Sequence, residues 1–178
     1  MKRIKKILAI NFGGIGDEIF FLPTLISLKK EFPESHITLA LEPRSKGITS
    51  LTDIIDDTIL VNPKGKMKYI EMLKLLYLAR KGDFDIVISS GGNKLISILL
   101  ALTEIPIRCG FDTGEWSKKL LTHAVPLNKK QYACKMYHDL ISPLTNCLTD
   151  LPIVNVEKAP KMEKSVNRVG RPDRKSVV

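Results

Sequence analysis

The chain has 178 residues and a mass of 20.0 kDa; 44% of the residues are hydrophobic and 26% are charged. This composition is ordinary for a soluble globular domain with one core. The longest apolar run, 95–102, is interrupted only by Ser97 and is far shorter than the ~20 residues of a membrane-spanning helix. We also expect no signal peptide, because Asn11, three glycines and Asp17 interrupt the first apolar stretch.

The formal net charge of +9 is concentrated at the two ends of the chain. Residues 158–178 contain seven basic and two acidic side chains (+5), and residues 1–6 contain four basic ones (+4), so the body is close to neutral. Basic ends can meet acidic lipids, nucleic acid or phosphorylated substrates, or they can simply be solvated. We expect a solvated tail, no nucleic-acid partner, and at most a peripheral contact with a membrane.

Cysteine and histidine usage argues against disulfides and metals. The three cysteines, Cys109, Cys134 and Cys147, are odd in number and lack Cys-x-x-Cys spacing, and the three histidines stand apart. We therefore expect no disulfide framework and no metal site, and a cytoplasmic location where thiols stay reduced.

Short β-branched runs alternate with helical periods along the chain. In chain order, the pattern predicts strand 4–11, helix 18–32, strands 36–41 and 58–61, helix 67–80, strand 84–89, helix 93–103, strand 105–109, and helix 132–148 with a break near Pro143. Pro23 falls in the early turns of the first helix, where proline is best tolerated, and Pro33 ends that helix. In the second helix, Ile70, Leu73, Leu76 and Tyr77 have amphipathic spacing.

This alternation predicts an α/β fold: a Rossmann-like parallel sheet with helices on both faces. We expect one domain over 1–157. Residues 158–178 have no periodicity, and we expect them to be a disordered basic tail or a truncated interdomain linker. Ligands of such sheets gather at the carboxyl ends of the strands, which here are residues 11–17, the residues after Leu41, 89–94 and 110–116.

The loop after the first strand contains Gly13, Gly14 and Gly16 and ends in Asp17. Such glycines allow a ligand to approach the backbone, and the following helix N-terminus attracts anions. Asp17 opposes phosphate binding but could accept a proton from a substrate hydroxyl. It could equally be a helix cap worth ~1 kcal/mol. A dinucleotide site is disfavoured because Ile19 occupies the third glycine position, and no Gly-Lys-Ser/Thr phosphate loop is present.

Two further strand ends carry candidate residues. Lys94 follows Ser89-Ser90-Gly91-Gly92-Asn93 and could meet an anion, although a solvated lysine explains it as well. Arg108 and Trp116 flank a glycine turn after another strand, where the tryptophan could stack on a sugar or fill the core. His138 lies on an apolar helix face, where most histidines are structural.

Taken together, these loops resemble glycosyltransferase family 9, the ADP-heptose:lipopolysaccharide heptosyltransferases. The resemblance covers about the first 150 residues. It rests on the order and spacing of Gly13–Asp17, Pro23, Leu-Lys-Lys-Glu-Phe-Pro (28–33), Phe84–Ile88, Gly91–Lys94, Arg108–Asp112, Trp116, and His138 with Leu140.

The resemblance implies the N-terminal half of a GT-B fold, which receives the acceptor, while the C-terminal half holds the nucleotide sugar. It implies an inverting transfer from ADP-heptose to a lipopolysaccharide-core-type acceptor, without a metal or other cofactor. Asp17 matches the family's general base. Gly13, Gly14, Gly16, Lys94, Arg108 and Trp116 are the implied acceptor-binding residues.

The chain stops before a donor domain, so we expect it to be truncated and inactive alone. One alternative is another GT-B transferase with a different nucleotide sugar. Another is a nucleotide- or anion-binding Rossmann module without catalysis.

Overall fold

Six parallel strands form one sheet in the computed structural model, which describes residues 3–145 and 151–154. The sheet order is β3-β2-β1-β4-β5-β6, and β1 pairs with both β2 and β4. The strands are β1 (Lys6–Asn11), β2 (His36–Leu41), β3 (Asp57–Leu60), β4 (Ile86–Ser89), β5 (Ile107–Asp112) and β6 (His123–Pro126). The chain order therefore reverses direction between β1 and β4, and the predicted α/β class with a Rossmann-like parallel sheet is confirmed.

Helices cover both faces of the sheet. They are α1 (Ile15–Glu31), α2 (Lys68–Lys81), α3 (Lys94–Leu102), α4 (Glu115–Leu120) and α5 (Ala133–His138), with 3₁₀ segments at Pro43–Leu51 and Asp139–Ile141. Successive residues of β1 point to opposite faces, so Ile7 joins one core cluster with α1 and Leu8 joins a second with α2 and α3. Coverage on both sides explains why β1 is apolar without alternation.

The predicted strands and helices are found with shifted ends, and two short elements escaped the sequence pattern. Strand β2 has the predicted bounds, whereas α4 has six residues and β6 has four, too few to show a period. The predicted helix 132–148 is wrong in length. Its α-helical part, α5, ends at His138, where the backbone tightens into the 3₁₀ segment Asp139–Ile141 before Pro143, and residues 146–148 lie outside the described residues.

Helix α1 begins at Ile15, three residues earlier than predicted. Asp17 causes this shift, because its carboxylate accepts the Gly14 N–H and so closes the first turn. The prediction that Pro23 lies in the early turns is therefore wrong: Pro23 lies inside α1 and is buried.

Helix α2 lies within one residue of its predicted bounds, but of the four residues with amphipathic spacing only Leu76 packs against the core. Leu75 and Ala79 are buried, whereas Ile70, Leu73 and Tyr77 are exposed. An apolar stripe on α2 thus faces away from the sheet.

Several predictions fall outside the described residues: the boundary at residue 157, the tail 158–178 and Cys147. Cys109 and Cys134 are buried free thiols. Within 3–145 and 151–154, no helix has both the length and the apolar character needed to cross a membrane.

Candidate active site

The glycine-rich loop lies where the strand order of the sheet reverses. It follows β1, the strand between β2 and β4, and the Ser89–Asn93 loop follows β4 directly beside it. Crevices form at such positions because the connections on either side run to opposite faces of the sheet.

Two side chains, Asn11 and Ser45, hydrogen-bond to the backbone of this loop. The Asn11 Oδ1 atom accepts the Gly13 N–H at 3.2 Å and the Ser90 hydroxyl at 2.9 Å, which ties the two loops together. The Ser45 hydroxyl donates to the Gly13 carbonyl at 3.1 Å. Asn11 and Ser45 are both buried, so the loop has a defined shape before any ligand arrives.

Asp17 uses both carboxylate oxygens and remains in the crevice. Its Oδ2 atom accepts the Gly14 N–H at 2.9 Å, and its Oδ1 atom accepts the Tyr137 hydroxyl at 3.2 Å. The side chain is half-buried and lines a cleft, so it is a cap that still faces solvent-accessible space. Each carboxylate oxygen has a second lone pair with which it can accept another proton donor.

This cleft, here called the Asp17 cleft, has a volume of about 390 Å³. Its walls come from the loops after β1, β3 and β4 and from α5. The lining residues are Asn11, Phe12, Gly13, Asp17, Pro63, Lys64, Ser89, Ser90, Gly91, Asn93 and Tyr137. A neighbouring cleft of about 420 Å³ shares Ser90 and Tyr137 with it and extends toward Leu127 and Gln131. Together they could hold a ligand longer than one sugar.

Gly13 is required for the position of Asp17. A Cβ atom on Gly13 would lie 2.3 Å from the Asp17 Cβ, whereas one on Gly16 would meet nothing within 4 Å. We expect Gly13→Ala to lower the free energy of unfolding by about 1–3 kcal/mol, because the loop must shift. Gly16→Ala, a matched control in the first turn of α1, should raise it by about 0.5–1 kcal/mol. Urea unfolding measures both, and equal effects would contradict this geometry.

Glu18 is a second carboxyl group below the loop, which the sequence did not single out. Its side chain is 1% exposed. Burial raises the pKa of Glu18 to about 8, the neighbouring Asp17 charge adds to the rise, and Asn11 partly offsets it. Glu18 is therefore mostly protonated at neutral pH, which leaves Asp17 as the negative charge of this turn.

Tyr137 reaches the cleft from α5, 120 residues along the chain from Asp17. Its ring packs edge-on against Phe21 of α1, with centroids 6.0 Å apart. Burial and the Asp17 charge raise the pKa of the Tyr137 phenol to about 12, so the phenol keeps its proton and donates a hydrogen bond to Asp17. The adjacent His138 is buried, with Nε2 2.8 Å from the Ser27 hydroxyl. Burial lowers the His138 pKa, which fits its predicted structural role.

A charge cluster lies beside the cleft at the ends of β2 and β3. Glu42 is buried and forms ion pairs with Arg44 at 2.5 Å and with Lys64 at 2.9 Å. Lys64 also lines the Asp17 cleft. A cation is thus held at the cleft wall by a buried carboxylate.

Of the predicted acceptor-binding residues, the structure places only Gly13 on the cleft wall. Gly14 precedes α1 and Gly16 lies in its first turn. Lys94 is exposed at the start of α3 and is not among the lining residues.

The sequence also placed Arg108 and Trp116 at this site, and the structure does not bring either to the cleft. The Arg108 guanidinium donates to the Ile105 and Leu120 carbonyls from the amino end of β5, so it holds local backbone. Trp116 is 61% exposed on α4, and core filling therefore does not explain it.

Sequence reasoning missed Lys64, Tyr137 and Glu18. Lys64 could have been found, since it follows a predicted parallel strand at its carboxyl end. Nothing local indicates Tyr137, whose position depends on α5 packing against α1. Glu18 looks like an ordinary first-turn acid until its burial is known.

No protein-family model matches the chain, and neither does any curated protein. Solved structures do. A glycosyl transferase family 9 structure from Veillonella parvula matches with a TM-score of 0.74 and 26% identity, over 88% of this chain and 46% of that one.

Two Escherichia coli structures share the fold at lower identity. Heptosyltransferase WaaC with ADP-2-deoxy-2-fluoro heptose matches with a TM-score of 0.66 and 16% identity, over 86% of this chain and 52% of that one. ADP-heptose lps heptosyltransferase II matches with a TM-score of 0.64 and 19% identity, over 88% of this chain and 44% of that one. The chain thus spans about half the length of the structures it matches. The resemblance found in the sequence is confirmed: the chain has the fold of the N-terminal half of a GT-B glycosyltransferase of family 9.

Proposed function

We propose that this chain is the acceptor-binding half of a glycosyltransferase that moves a heptose-type sugar from a nucleotide sugar to a lipopolysaccharide-core-type glycan. Asp17 is its general base. The observation that carries the proposal is the Asp17 carboxylate, which lines a cleft at the reversal point of a sheet with the family 9 fold.

The proposed reaction is a single displacement at the anomeric carbon. The Asp17 carboxylate takes the proton of an acceptor hydroxyl, and that oxygen bonds to the anomeric carbon while the bond to the nucleoside diphosphate breaks. Attack opposite the leaving group inverts the configuration. Proton removal by a placed base contributes typically ~10²–10⁴-fold. The proposal requires neither a metal nor a cofactor.

The cleft offers groups suited to an anionic or polyhydroxylated acceptor. Lys64 provides a positive charge, and Ser90 and Asn93 provide polar side chains. The neighbouring cleft beyond Tyr137 gives room for further sugar residues. We assign donor binding to the half of the matched structures that this chain does not cover.

Calorimetric titration of the chain with a phosphorylated core oligosaccharide tests this proposal. We expect binding that Lys64→Gln weakens by about tenfold, the effect of losing one charge-assisted contact. Lys66→Gln, an exposed lysine that does not line the cleft, should leave affinity within about twofold. NAD is the comparison ligand, since the strand order is also that of dinucleotide-binding sheets. Binding of NAD without binding of the glycan would favour a Rossmann module and contradict the proposal.

A further inference from the structure

Helix α2 exposes an apolar face that no part of the described chain covers. Met67, just before the helix, and Tyr69, Ile70, Leu73 and Tyr77 are each between 56% and 73% exposed. Large apolar side chains exposed singly are common, but a run of them along one helix marks an interaction surface.

Helix α3 adds exposed apolar residues on the same side of the sheet. Leu95, Ile98 and Leu102 recur at helical spacing and are 41–75% exposed. The two helices cover the same side of the sheet, since Leu75 of α2 and Leu99 of α3 belong to one core cluster. Arg80 joins their ends by donating to the Leu102 carbonyl at 2.9 Å. We call these exposed apolar residues of α2 and α3, together with Met67, the outer apolar face.

Positive charge surrounds this face. Residues 64–81 contain six basic side chains and one acid, Glu71, although the body of the chain is nearly neutral. Lys66, Lys68, Lys74 and Lys81 are exposed there. The Lys68 ammonium lies 5.0 Å from the centroid of the Tyr69 ring, so cation and aromatic ring are presented together.

We propose that the outer apolar face docks onto an anionic phospholipid surface. Apolar side chains would enter the headgroup boundary while the lysines contact lipid phosphates, as in helices that lie in a membrane interface. Tyrosines are enriched at that depth. A protein partner fits less well, because protein interfaces are depleted of lysine.

Docking in this way would set the Asp17 cleft beside the lipid headgroups. The segments that lead into α2 and α3 contribute Pro63, Lys64 and Asn93 to the cleft wall. Membrane docking does not depend on the proposed transfer reaction, so either can fail without the other. It also differs from contact through the basic chain ends, which the sequence had suggested.

Co-sedimentation of the full chain with vesicles tests the proposal. We expect binding to phosphatidylcholine vesicles that contain 30 mol% phosphatidylglycerol, and much weaker binding to pure phosphatidylcholine. Ile70→Gln with Leu73→Gln should lower the partition coefficient by about tenfold or more. Lys68→Gln with Lys74→Gln should lower it by about tenfold, as should raising the salt.

Matched controls separate this face from general effects. Ile153→Gln removes another exposed apolar side chain, and Lys129→Gln with Lys130→Gln removes two positive charges from the loop before α5. Both should stay within about threefold of wild type. Hydrogen exchange of the unmodified protein, which needs no variant to fold, should show vesicle protection in 67–81 and 94–102.

Three results would overturn the proposal. The first is no vesicle binding by the wild type. The second is binding that persists in the Ile70/Leu73 double variant, which would assign it to the chain ends. The third is a wild-type dimer that this variant converts to a monomer without any vesicle binding, which would assign the face to a second copy.

Discussion

Asp17→Asn is expected to lower the rate of sugar transfer by ~10²–10⁴-fold when this chain acts together with a donor-binding half. The amide keeps the size of the carboxylate but cannot take a proton from the acceptor hydroxyl. Acceptor affinity should change little, because the Asn amide can still form a hydrogen bond with the acceptor hydroxyl. The measurement is kcat and KM with acceptor varied, at saturating nucleotide sugar.

Two variants separate catalysis from structure in this experiment. Asp112→Asn removes a carboxylate that accepts the Gly114 N–H and the Ser117 hydroxyl at the end of β5, so it is a matched cap without a place in the cleft. We expect it to retain kcat within a few fold and to change stability little, because Asn caps a helix about as well as Asp. Tyr137→Phe removes the phenol that contacts Asp17 and should affect kcat far less than Asp17→Asn. Near-wild-type transfer by Asp17→Asn would return Asp17 to the role of helix cap.

Glu18→Gln is expected to change how stability depends on pH. The pKa of Glu18 is about 8 in the folded chain against 4.5 in the reference state. Between these values the unfolded chain has released the proton and the folded chain has not, so the contribution of Glu18 falls as pH rises. At about 1.4 kcal/mol per pKa unit, the loss is on the order of 3–5 kcal/mol by pH 8, and it is complete above that.

Urea unfolding at pH 5, 7 and 9 measures this effect. The advantage of Glu18→Gln over wild type should grow with pH through the whole window and level off above pH 8. Glu115→Gln, which removes an exposed carboxyl on α4, should follow the wild-type profile. Parallel profiles for wild type and Glu18→Gln would show that Glu18 does not resist ionisation in the fold.

Much of the fold could be predicted because the strands of a covered parallel sheet are buried on both faces and therefore form continuous apolar runs in the sequence. The segments that became β1, β2 and β4 are apolar runs whose residues are buried on both faces. The elements α4 and β6 were not predicted because they are too short to show a helical or strand periodicity. The amphipathic spacing on α2 did not identify its core-facing side, because Ile70 and Leu73 face outward while Leu76 packs inward.

The site could be predicted only where it is local. Asp17 and Gly13 lie within one loop, and their spacing already indicates a turn before a helix. Lys94, Arg108 and Trp116 follow the same logic of strand ends, but none of them lines the cleft: Lys94 and Trp116 are exposed on α3 and α4, and Arg108 holds backbone at the amino end of β5. The position of Tyr137 and the ion pair of Lys64 with Glu42 depend on packing between segments that are distant in the chain. Local patterns in a single sequence do not predict such contacts.

The proposed reaction requires the Asp17 carboxylate to face an acceptor hydroxyl. A crystal structure of the chain with a bound core oligosaccharide tests it most directly. We predict a sugar hydroxyl oxygen about 2.6–3.2 Å from an Asp17 carboxylate oxygen, with the glycan extending past Tyr137. A glycan bound away from the Asp17 cleft, or an Asp17 that contacts only Gly14 and Tyr137 while the cleft is filled, would contradict it.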